Sequence, residues 1–115
     1  MATLMMMYVA AGVLLALLAI PLILGRVPPN RFYGFRVRAT LENRKLWYSV
    51  NQYAGWRLLI VGMSAIFAAV AFSRIPGIGV DAYAMACLGV VAAGLTLALA
   101  SSFGYLGSFV PPGEP

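Results

Sequence analysis

Histidine is absent from this 115-residue sequence, and cysteine occurs once, at Cys87. Without histidine the commonest general base, the Ser-His-Asp arrangement and most zinc sites are unavailable. A lone cysteine within an apolar run forms no intramolecular disulfide, so it says little about redox compartment. Acidic residues are almost as scarce: Glu42, Asp81 and Glu114 lie far apart, which leaves no material for a paired-carboxylate site. Only 10% of residues are charged, against 63% hydrophobic. A soluble domain of this length needs more polar surface than that. The expectation is an integral membrane protein without enzymatic activity, cofactor or metal.

What the sequence does have is three long apolar runs. The first, residues 4–25, carries no charge and is long enough at helical rise to cross a hydrocarbon core of about 30 Å. It is too long for a signal peptide and has no basic residue before it. Pro21 suits a kink or a frayed last turn. The second, residues 58–73, reaches about 24 Å and is too short to span alone. Arg57 and Arg74 bracket it and can snorkel toward head groups, and its helix is expected to begin earlier. The third occupies residues 82–109, with Asp81 as a candidate N-cap, and 110–115 form a short tail. The predicted spans are 4–25, 56–74 and 82–109 of a single domain covering 1–115. Small residues four apart suit close helix approach in lipid: Gly12 and Ala16, Ala65 and Ala69, Gly89 and Ala93, Ala100 and Gly104.

Orientation follows from the basic residues. Arg26, Arg31, Arg36, Arg38, Arg44, Lys45 and Arg57 fall in the first connector, whereas the second has only Arg74. The excess of positive charge places 26–57 and the C-terminus in the cytoplasm and the N-terminus outside.

The polar chemistry is concentrated in "PPNRFYGFRVRATLENRKLWYSVNQYAG" at 28–55. Its first part resists helix, because Pro28 and Pro29 remove donors and Gly34 invites a turn. Its second part reads as an interfacial helix, with Thr40 as candidate N-cap and Glu42 in the first turn. Trp47, Asn51 and Gly55 recur every fourth residue and share one face. Trp47 suits an interfacial anchor, and Asn51 suits either a bound peptide or an internal carbonyl. Arg36 and Arg38 fall on one side if "FRVR" is extended, and either dock a partner or contact anionic lipid. Nucleic acid is a poor partner, since no folded reader accompanies the basic residues.

This stretch resembles the signature of the SdpI family of small bacterial membrane proteins. Pro28 or Pro29, Asn30, Tyr33, Gly34, Phe35, Arg36, Thr40, Trp47, Asn51 and Gly55 fit a pattern covering about a quarter of the chain. The chain departs from it at "RAT", where the family often has Pro-Arg-Thr, and at Val50, where it often has alanine. The resemblance implies an immunity or signalling module of the bacterial inner membrane. The family's named member protects its cell from a secreted membrane-active peptide and holds a repressor at the membrane. On that basis the candidate binding residues are Asn30, Tyr33, Gly34, Arg36, Arg38, Trp47 and Asn51. The expected partners are the bilayer with its anionic lipids, a peptide toxin or a regulator protein. A second copy or a larger complex is compatible with the small-residue pairs. The alternative is an accessory subunit of a larger membrane complex. Proton-coupled transport is disfavoured, because no span carries a central charge.

Overall fold

In the computed structural model the described residues are 2–30, 34, 40 and 42–108. They include three long helices: α1 at Ala2–Ile23, α2 at Arg44–Ser73 and α3 at Val80–Gly107. All three are long and apolar enough to cross a membrane. The fold is all-α.

Helix α1 is built from alanine, leucine and methionine, which form helix readily. Pro21 lies inside its last turn. The helix stops at Gly25, whose φ of 68° is left-handed. There the Gly25 N–H donates to Leu22 O and the Arg26 N–H to Pro21 O, at 3.2 and 3.0 Å. These two bonds are a Schellman closure, which takes glycine at that position.

Helix α2 departs from expectation at its N-cap and follows it in beginning inside the connector. Its N-cap is Asn43, not Thr40: the Asn43 side chain accepts the Leu46 N–H at 3.1 Å. Both residue types cap well, and what decides is which one has extended backbone beside the first turn. Residues 44–55 are also continuous with the second apolar run, making one helix of 30 residues and about 45 Å. Helix α3 begins one residue before Asp81. Gly79 is its cap and makes no side-chain cap bond. Asp81 instead sits in the first turn, where its charge still complements the helix dipole.

The helices lie side by side with α2 in the middle, packed on α1 and on α3. The molecule is accordingly flat, 53 × 29 × 18 Å. Helices α1 and α2 cross most closely at two glycines. A methyl group on Gly12 would stand 2.6 Å from Gly62 O, and one on Gly62 would stand 2.6 Å from Gly12 O. Of the small pairs, Ala65 and Ala69 are buried. Gly89 with Ala93 and Ala100 with Gly104 are exposed and face away from α2. Phe67, Met85 and Leu97 are 76%, 68% and 67% exposed, which water would not tolerate on this scale and lipid does.

At the end bearing the 74–79 turn, two tyrosine hydroxyls tie the layer together. Tyr83, fully buried, donates to Ala69 O at 2.7 Å, joining α3 to α2. Tyr8 donates to Ala84 O at 3.0 Å, joining α1 to α3. Elsewhere α1 and α3 hardly touch.

Candidate functional site

The opposite end holds the polar signature. Helix α1 ends against Gly55 of α2: a methyl group there would lie 3.0 Å from Ile23 N and from Leu22 Cβ. On α3, near its own end, Tyr105 stacks on Tyr53 with ring centroids 4.3 Å apart and planes 2° from parallel. The first three turns of α2 therefore run about 16 Å past the end of α1, touching it through Trp47 and Leu22 and touching α3 through Tyr53 and Tyr105. The connector folds onto this length and completes its core.

Trp47 is the centre of that core. It is fully buried, packs with Leu22 and Val27, and its indole N–H donates to Val27 O at 2.8 Å. It is thus an internal residue and not the interfacial anchor its residue type suggested. The other tryptophan, Trp56, is half exposed on the outside of α2. Asn51 is buried one turn below Trp47, and its amide donates to Trp47 O at 2.9 Å. This is the internal-carbonyl role, one of the two that its position allowed. Thr40 and Val50 are fully buried as well.

Gly34 joins this cluster from the connector. Its φ of 106° would strain any residue with a side chain, and a methyl group there would lie 2.6 Å from Asn51 Oδ1 and 3.3 Å from the Trp47 ring. Gly34, Trp47 and Asn51, separated by up to 17 positions, are therefore in one place. Asn30 is not shown among them: its amide donates locally to Pro28 O at 2.8 Å, a turn bond. Tyr33, Arg36 and Arg38 lie outside the described residues. Among the described residues no cluster of His, Cys, Asp or Glu could hold a metal.

Below the cluster, an apolar cleft of about 320 Å³ opens between α1 and α3, with α2 as its floor. Leu18 and Leu22 form one wall, Leu95, Leu99 and Ser102 the other, and Ala54 and Leu58 the base. Gly34 closes its connector end. Gly34 thus adjoins both the buried polar pair and the cleft, as Leu22 adjoins both Trp47 and the cleft. Sequence reasoning found the pair and missed the cleft, because three separate apolar runs give no signal of the gap between them.

Among known proteins, the family model described as the SdpI/YfhL protein family matches residues 26–106. The matched segment is the connector, α2 and nearly all of α3. No curated protein and no solved structure matches the chain.

Proposed function

The chain belongs to the SdpI/YfhL protein family, and from that premise we propose that it is a bacterial inner-membrane immunity or resistance module acting against a membrane-active peptide. The family resemblance supplies the class of activity. The observation that carries it to a place on this molecule is Gly34, which links the buried Trp47–Asn51 pair to the end of the apolar cleft.

In this reading the connector faces the cytoplasm, as its basic residues require. The first turns of α2 and the connector form a folded head at the head-group level. The cleft receives apolar side chains of the peptide from the lipid side. The connector residues Asn30, Tyr33, Arg36 and Arg38 supply polar contacts to the peptide or to a regulator protein. The action is binding, without catalysis.

A second reading, an accessory subunit of a larger complex, is favoured by one observation. The small residues Gly89, Ala93, Ala100 and Gly104 face outward on α3, where another membrane helix could approach closely.

Deletion and complementation test these readings. Cells lacking the gene are challenged with membrane-active peptides and scored for survival. Selective sensitivity, rescued by wild type but not by Arg36→Ala or Asn51→Ala, supports immunity. Unchanged survival, with the protein co-purifying in a larger assembly, replaces it with the subunit reading.

A further inference from the structure

A second, narrower slot lies between α2 and α3, apart from the cleft. Its volume is about 230 Å³. Ile60, Val61 and Ser64 form the α2 wall, and Gly94, Leu97 and Ser101 the α3 wall. Arg57 stands at its mouth. The slot runs seven residues along each helix, about 10 Å. Its mean cross-section is therefore about 20 Å², far below the ~80 Å² of a helix 10 Å across. A single hydrocarbon chain fits there, and a peptide helix does not.

The mouth is prepared for an anion. Arg57 Nε donates to the Tyr53 hydroxyl at 3.2 Å, and its guanidinium carbon lies 5.1 Å from the Tyr53 ring centroid. Tyr53 is in turn held by its stack on Tyr105. One N–H of the guanidinium is used in this way, and four remain on the terminal nitrogens, the fork that matches a phosphate. Arg57 begins the charge-free length of α2, with Trp56 beside it on the outside, which sets it at head-group depth. Arg26, Arg44 and Lys45 lie at this end as well, and the chain carries a net charge of +5. That field selects an anionic lipid over a zwitterionic one.

We propose that Arg57 and the α2–α3 slot form a specific site for an anionic phospholipid, with the phosphate on Arg57 and one acyl chain in the slot. This goes beyond general attraction of the connector to the membrane surface, because it requires one arginine and one slot.

Native mass spectrometry of the purified full chain, equilibrated with equal phosphatidylglycerol and phosphatidylcholine, tests the site. Wild type is expected to retain one phosphatidylglycerol at least tenfold over phosphatidylcholine. Arg57→Ala should abolish that preference, and Arg57→Lys should keep only part of it, having lost the fork. Ser101→Leu, which fills the slot, should lower retention of both lipids while thermal unfolding confirms a folded chain. Arg44→Ala, on the exposed first turn of α2, should change nothing. Equal retention of the two lipids by wild type, or an equal loss on Arg44→Ala and Arg57→Ala, overturns the proposal.

Discussion

At the scale of single residues, two positions in the head are expected to be intolerant for different reasons. Trp47 fills the head core and donates one hydrogen bond. Trp47→Ala should cost about 3–5 kcal/mol, as a cavity in a filled core does. Trp47→Phe keeps much of the ring and loses the N–H, so it should cost about 1 kcal/mol from the hydrogen bond, plus repacking. Thermal unfolding in detergent separates the two, and equal shifts would place Trp47 outside the core. Gly34→Ala should destabilise by about 1–3 kcal/mol through its left-handed backbone. It also pushes on Asn51, so a Gly34→Ala/Asn51→Ala double variant should recover part of the loss, and strict additivity would deny the contact. The sequence showed which residues belong together, since the signature contains Gly34, Trp47 and Asn51. It did not show that Trp47 faces inward. Tryptophan next to basic residues reads as an anchor, and only the shared face with Gly55, which needs close approach, pointed the other way.

At the scale of elements, the three helices were legible because charge-free runs of spanning length have few other uses. Their ends were less so. Thr40 and Asn43 are both good caps three residues apart, and the choice depends on how the connector arrives at α2. Asp81 precedes its apolar run, yet the helix starts before it, because Gly79 already has the extended backbone a cap needs. Packing faces were legible only in part, since glycine and alanine occur on every face of these helices. The α1–α2 seam turns on Gly62, which the spacing of small residues did not single out. Gly62→Leu should force α1 from α2, where Gly12 O and Ala16 N leave no room. Gly89→Leu, in open space, should be nearly neutral for the monomer. Cysteine cross-linking between α1 and α2, in a Cys87→Ser background, would detect the difference. Similar yields from both variants would contradict the seam.

At the scale of the whole molecule, the layered order places Arg26, Arg44, Lys45 and Arg57 at one end of the slab and Arg74 with Asp81 at the other. Orientation is then an all-or-none property. In spheroplasts, an impermeant thiol reagent should label a cysteine placed at Gly77 and spare one at Lys45, both of which are exposed. The reverse pattern would invert the proposed topology. The sequence implied this polarity but not the flatness, because which helix lies between the other two is decided by tertiary contacts alone.

The Tyr8 hydroxyl on Ala84 O has a mechanical meaning. It pins α1 to α3 near one end, while the cleft separates them at the other. The two outer helices are thus arms of a wedge, with the pivot at Tyr8 and Leu22 about 20 Å away along the arm. A tilt of about 5° at that pivot moves Leu22 by about 2 Å, and the whole displacement arrives at the jaw that Gly34 closes.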